Sequence, residues 1–180
     1  EEVRYYLGII GLAIVAIAIN TREMFTSFGR AFQQAAFQVG SIITTTGYAT
    51  TDFNVWPVFS KTILVILMFV GACAGSTGGG IKTTTIGVII LGVYSTLTNR
   101  EDIEIKKKKI AWDVFNKATS IVFISLTYII CIVFFLSLLE KNKGFLELVF
   151  ETVSAFGTVG LSLNITPDLG SISKLLIALT

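Results

Sequence analysis

Two short segments rich in threonine and glycine interrupt otherwise apolar sequence: Thr44-Thr45-Thr46-Gly47-Tyr48 and Gly157-Thr158-Val159-Gly160-Leu161. Neither pairs a nucleophile with a base, and the whole chain has no histidine. What these segments offer is oxygen. Successive backbone carbonyls, with a threonine hydroxyl at one end, can replace the water shell of a dehydrated cation. Turning a carbonyl toward a central axis requires a residue that takes an unusual backbone conformation freely, and glycine does so without steric penalty. Gly47 and Gly160 hold that place.

Set side by side, Thr45, Thr46, Gly47, Tyr48 and Thr158, Val159, Gly160, Leu161 both read threonine, β-branched, glycine, bulky apolar. A potassium-channel filter has the order Thr-Val-Gly-Tyr-Gly. Ala49 and Ser162 stand where its second glycine would be, which argues for a looser filter with fewer well-formed sites. Asp52 and Asp168 follow the two loops. At an outer mouth they would raise the local cation concentration; the plainer reading is solvated loop acids or caps. Glu151 precedes the second loop, where a membrane would penalise an unpaired carboxylate. Its repeat counterpart is Gln38. A hydrogen-bond brace behind the filter is favoured over a direct ion ligand.

A third segment, Gly75-Ser76-Thr77-Gly78-Gly79-Gly80-Ile81-Lys82-Thr83, invites a phosphate-loop reading, but Ile81 separates the glycines from Lys82 and no strand precedes it. Irregular backbone at membrane depth is tolerated where it lines a cavity or is buried in protein. A loop here, below the filter, would obstruct the pore and move; the bland alternative is a kink for close packing. Lys82 would repel cations in a closed state, or pair with an acid elsewhere.

The elements that must hold these segments are apolar helices. The chain has 180 residues, 53% hydrophobic and 14% charged, with mean hydropathy +0.77. Soluble domains carry about 25% charged residues, so this is an integral membrane protein. The net charge of +2 offers no basic surface for nucleic acid. Cys73 and Cys131 lie in apolar runs and read as packing residues rather than a disulfide or metal pair. Apolar stretches fall at 5–19, 58–74, 86–97 and 121–139, and Gly75–Thr85 divides the second from the third. The segments 28–43 and 145–156 are shorter and partly polar, and each ends at a Thr/Gly loop, which suits a re-entrant helix. The charged stretch 99–117, with Lys106 to Lys109, belongs in the cytoplasm by the positive-inside rule. Both Thr/Gly loops then lie toward the outer leaflet.

Sliding the chain by 113 positions (158 − 45) superposes Phe32 on Phe145, Phe37 on Phe150, Ser41 on Ser154, Thr45 on Thr158 and Gly47 on Gly160. The expected architecture is an all-α membrane protein of repeated helix, re-entrant pore helix, filter loop and helix, with one second helix broken by the Gly-rich loop. Residues 1–98 form the first unit, 99–117 a charged linker, and 118–180 a second unit cut short in its last helix. The repeats run parallel, whereas alternating-access transporters, the competing class, usually show inverted ones. Glu1 without a preceding Met, and Thr180 inside an apolar run, read as the ends of a fragment. Enzyme chemistry has no support in these residues.

Three segments together, Thr44 through Phe53, Ala72 through Lys82 and Ser154 through Ser162, resemble the Trk/Ktr potassium transporter family in order and spacing. The resemblance implies four such units around one pore, of which these would be the third and most of the fourth. It matches the family's filter glycines to Gly47 and Gly160, and its gating loop to Gly75–Thr85. It implies potassium as the transported ion, with sodium as a coupling ion to consider and no covalent cofactor. Its implied partners are the missing N-terminal units of the same chain, a second copy in a homodimer, a cytoplasmic ring of nucleotide-binding regulatory subunits facing 99–117, and the lipid bilayer of the cell membrane.

Overall fold

The computed structural model describes residues 2–71, 76, 78–98, 103–105 and 108–180. Seven α-helices carry the fold: α1 (Glu2–Asn20), α2 (Phe28–Ile43), α3 (Val58–Phe69), α4 (Thr83–Leu97), α5 (Trp112–Leu139), α6 (Phe145–Phe156) and α7 (Ser171–Ala178). Between α4 and α5 lies a short antiparallel ribbon, β1 (Ile103–Ile105) and β2 (Lys108–Ile110), with Ile103 opposite Ile110 and Glu104 opposite Lys109. The helical reading holds, and the charged linker adds this ribbon to it. Helix α5 also starts at Trp112, before the apolar run at 121. Polar residues in its first turns keep helical geometry because nothing there breaks it.

The two short helices begin on local signals. Ser27 caps α2, its hydroxyl accepting the Arg30 N–H at 3.3 Å. Glu147 reaches back from the first turn of α6 to accept the Gly144 N–H at 2.9 Å, one half of a capping box. Helix α5 is long and apolar enough to cross a membrane by itself; α1, α3 and α4 are apolar but shorter. Phe123, Ile124, Ile130 and Phe134 project from α5 into open space. A helix apolar on its outward faces belongs in lipid.

Packing falls into two sets. Helices α1, α2 and α3 contact one another, and α5, α6 and α7 do the same. Each set is tied at its loop end by a buried serine, the third residue of α3 and of α7. The Ser60 hydroxyl donates to Asn20 Oδ1 at 2.7 Å, and the Ser173 hydroxyl donates to Glu140 Oε1 at 2.7 Å. Ser60 and Ser173 are related by the same 113-residue step (173 − 60). The sets meet where α3 packs on α6, and Phe53 stacks on Phe150 with ring centroids 5.6 Å apart. The main core is continuous across them, from Ile17 and Ile42 to Met68, Phe150 and Val159.

Candidate functional site

Helices α2 and α6 end alike. After α2 the Thr45 N–H bonds the Ile42 carbonyl at 3.0 Å and the Thr46 N–H bonds the Ser41 carbonyl at 2.9 Å. After α6 the Thr158 N–H bonds Ala155 at 2.9 Å and the Val159 N–H bonds Ser154 at 2.9 Å. This pair of bonds is the Schellman motif, whose turning residue sits in left-handed backbone and is usually glycine. Here threonine occupies it twice, at φ 54° in both Thr45 and Thr158. A β-branched residue at positive φ is a conformational outlier, held in place at a cost of order 1–3 kcal/mol. Two residues later Gly47 and Gly160 follow at φ 72° and 79°. The sequence repeat is therefore also a repeat of backbone torsion. Each loop is met by the negative end of a helix dipole and offers only neutral oxygens, a setting that favours a cation.

The loops lie side by side. A β-carbon on Gly47 would stand 2.3 Å from the carbonyl oxygen of Val159, while one on Gly160 would meet nothing within 4 Å. Their surroundings differ accordingly. Val159 and Leu161 are buried, the former in the core shared with α3 and Phe53, whereas Thr46 and Tyr48 are exposed. Tyr48, Thr46, Phe37 and Gly40 line an open groove beside α2. Stepped by 113 positions, that groove corresponds to the surface around Phe150 and Val159 that the first set of helices covers.

Glu151 is buried behind the second loop and joins two groups beyond it. Its Oε1 accepts from the Ser162 hydroxyl, and the Thr166 hydroxyl lies 3.0 Å from the same oxygen and 2.9 Å from Ser162 Oγ. Gln38 is equally buried, but among the described residues its Nε2 has no hydrogen-bond partner. The residues equivalent to Ser162 and Thr166 are Ala49 and Phe53, which offer none. Ser41 and Ser154, another repeat pair, likewise keep buried hydroxyls without partners.

The two acids after the loops are engaged locally. Asp52 caps a short 3-10 turn, its Oδ1 accepting the Asn54 N–H at 3.0 Å. Asp168 pairs with Lys143 Nζ at 3.0 Å in an exposed position. Cys131 is a free, exposed thiol on α5 rather than a packed one; Cys73 lies outside the described residues.

The second helix of the first set is interrupted between α3 and α4. The chain leaves at Phe69–Val70 and returns alongside, Val70 bridging Ile81 and the Ile81 N–H bonding the Phe69 carbonyl at 2.9 Å. Of the expected loop residues, Gly75 and Thr77 lie outside the described residues; Ser76, Gly78, Gly79, Gly80 and Lys82 lie within them. Gly79 presses against the second Thr/Gly loop. Its N–H donates to Thr158 Oγ1 at 2.9 Å, and a β-carbon on it would meet Gly157 backbone and Thr158 Cγ2 at 2.8 Å. Lys82 turns back onto its own loop, donating from Nζ to the Gly78 carbonyl at 2.5 Å and the Ser76 carbonyl at 3.1 Å.

Sequence reasoning missed the strained threonine caps, the Ser162 and Thr166 partners of Glu151, and the Ser60 and Ser173 ties. Only the last had a visible signal, a serine recurring at the 113-residue step. Among the described residues no cluster of His, Cys, Asp or Glu could hold a metal.

The chain is 33% identical over 136 residues to the potassium/sodium uptake protein NtpJ of Enterococcus hirae, covering 74% of this chain and 30% of that one. It is 36% identical over 133 residues to the Ktr system potassium uptake protein B of Bacillus subtilis, again 74% of this chain and 30% of the relative. It thus spans about a third of the length of such relatives. Its fold matches the crystal structure of the potassium transporter TrkH from Vibrio parahaemolyticus with TM-score 0.82 at 24% identity, over 98% of this chain and 40% of that one. The sequence model of the TrkH family, described as cation transport protein, matches residues 7–180. The chain belongs to the TrkH family of membrane cation transport proteins.

Proposed function

We propose that this chain supplies two adjacent walls of a pore for potassium uptake across the cell membrane. The first wall is residues 1–98 and the second 118–180, with 99–117 as the cytoplasmic stretch between them. The observation that carries this reading is the twin geometry of Thr45–Gly47 and Thr158–Gly160: identical helix-ending hydrogen bonds, identical threonine torsions, and glycines of positive φ two residues on. Such loops present oxygens to a desolvated cation. That relatives of both walls are named as potassium uptake proteins agrees with it.

In this mechanism Thr45, Thr46, Gly47 and Tyr48, with Thr158, Val159, Gly160 and Leu161, form the filter segments. Glu151 braces the second, and Gln38 holds the matching place behind the first. Asp52 and Asp168 lie at the outer mouth, held by the Asn54 amide and by Lys143. The Gly-rich segment around Gly78, Gly79 and Gly80 lies on the inner side of the second loop and acts as the gate, which Lys82 ties shut. The open groove beside Tyr48 receives the preceding unit of the full-length protein. Potassium is cargo and needs no covalent cofactor; sodium is the coupling ion to test, since one relative is named for both cations. A homodimer contacting a cytoplasmic nucleotide-binding regulatory ring through 99–117 completes the assembly.

The test is rubidium uptake into liposomes holding the full-length protein, with excess potassium or sodium as competitor. Competition by potassium alone, weakened in Gly47→Ser, supports the reading. Uptake indifferent to that substitution, or absent under a potassium gradient, removes it.

A further inference from the structure

We infer that Thr158 is shared between the filter and the gate, so that cation occupancy and loop closure compete for one oxygen. The inference rests on the pore reading of the second Thr/Gly loop. Thr158 is the first threonine of that loop, and its Oγ1 is the hydroxyl that would face a cation at the filter's inner end. That same oxygen accepts the Gly79 N–H at 2.9 Å. An amide N–H carries positive charge to the oxygen it bonds, so an incoming cation meets both a used lone pair and a like partial charge. The loop cannot merely slide aside while keeping the bond. Gly79 is packed so tightly that even a β-carbon would fall 2.8 Å from the Gly157 carbon and oxygen and from Thr158 Cγ2. Thr158 is itself held rigid by its strained φ of 54° and by its N–H bond to Ala155. The Gly79 amide must therefore retreat when the cation arrives.

Thr45, the equivalent residue in the first loop, has the same torsion. Among the described residues, only the second loop's threonine receives a donor from the Gly-rich segment. The competition is thus built into one wall of the pore. By linkage, whatever factor the cation takes from closure, closure takes from cation affinity. A single hydrogen bond in competition with water sets that factor at about three- to tenfold.

The test uses the full-length protein in a cysteine-free background with Ser76→Cys, reconstituted into nanodiscs so that both faces are open to a thiol reagent. Labelling is followed against rubidium, potassium and sodium concentration, and rubidium uptake into liposomes is measured in parallel. Labelling should accelerate about three- to tenfold with rubidium or potassium and not with sodium. In Thr158→Val it should be fast at every cation concentration, and in Thr158→Ser, which keeps the hydroxyl, the cation dependence should return. Gly79→Ala, which crowds the closed loop against Gly157 and Thr158 but keeps the Thr158 hydroxyl, should label fast in the absence of cation. Labelling that ignores cations in a protein whose uptake is potassium-selective overturns the shared oxygen and leaves the pore reading standing. Loss of selective uptake in the unsubstituted protein overturns both.

Discussion

Gly47 lies against the backbone carbonyl of Val159, so close that a β-carbon on it would be 2.3 Å from that oxygen. Two separate demands meet at this residue: a φ of 72° and a neighbour that cannot yield. Gly160 shares the torsion, at 79°, but has free space where its β-carbon would go. Alanine should therefore be tolerated unequally. Gly160→Ala should lower stability by about 1 kcal/mol, the lower end of the torsional range, while Gly47→Ala should lower it at least twice as much and relax potassium selectivity more. Thermal unfolding of the full-length protein, with rubidium uptake under sodium competition, checks both. Equal effects at the two glycines would count against contact between the loops.

The Glu151 cluster should behave as one unit. Removing its carboxylate leaves the half-buried Ser162 and Thr166 hydroxyls without their acceptor, a loss of about 1–3 kcal/mol. Glu151→Gln keeps an acceptor and should lose much less than Glu151→Ala. Thr166→Val combined with Glu151→Ala should be less damaging than the sum of the two, by more than about 0.5 kcal/mol. A double-variant cycle by thermal unfolding measures it; strict additivity would dissolve the network. Selectivity should fall alongside stability, because the cluster pins the segment leaving the second loop.

Lys82 holds the Gly-rich loop through two carbonyls, of Gly78 and Ser76. Bonds from a charged donor are worth roughly twice neutral ones. Lys82→Met preserves the aliphatic stem and deletes those bonds, so the proposed gate should open more readily and initial rubidium uptake should rise several-fold. A rate unchanged or lowered would mean that Lys82 serves the path rather than the loop.

Acid should loosen the tie between the end of α5 and α7. The Gly170 N–H and then the Ser173 hydroxyl, with Lys143 and Lys174 nearby, hold the Glu140 carboxyl below its ordinary value of 4.5. A carboxylate with a lowered folded pKa stabilises the fold above the unfolded value and loses that contribution as pH falls through the folded one. Thermal midpoints of the full-length protein taken from about pH 6 to about pH 3 should decline, and Glu140→Gln should flatten part of that slope. An identical slope in both proteins would show that the tie to α7 is not felt.

Much of the fold was legible because membrane helices announce themselves by composition. The bounds of α2 and α6 follow from residue pattern, since Ser27, Gly144 and the Thr/Gly loops punctuate them. The start of α5 was less legible: Trp112 to Lys117 are polar enough to read as linker, and helical continuity there is a backbone property that hydropathy does not report. The ribbon hid in a lysine run for a similar reason, since its register depends on pairing rather than on period. At the candidate site the glycines and Glu151 could be picked out by type and by repeat. Thr45 and Thr158 were picked as ligands, but their left-handed torsion was not, because threonine is a residue that local preference steers away from it. Lys82 looked outward from the sequence, as a charge beside a path. Its actual partners are carbonyls within four to six positions, which only the folded-back chain brings within reach.

The packing of α3 on α6 also gives biosynthesis a direction. Helix α3 is translated first, so the surface that Phe150 and the loop after α6 pack against would already stand when they emerge. The later unit is thus cast by the earlier, in keeping with folding from the N-terminus during synthesis. Units joined in this way would close on each other like a clasp, the seam made only when both have left the ribosome.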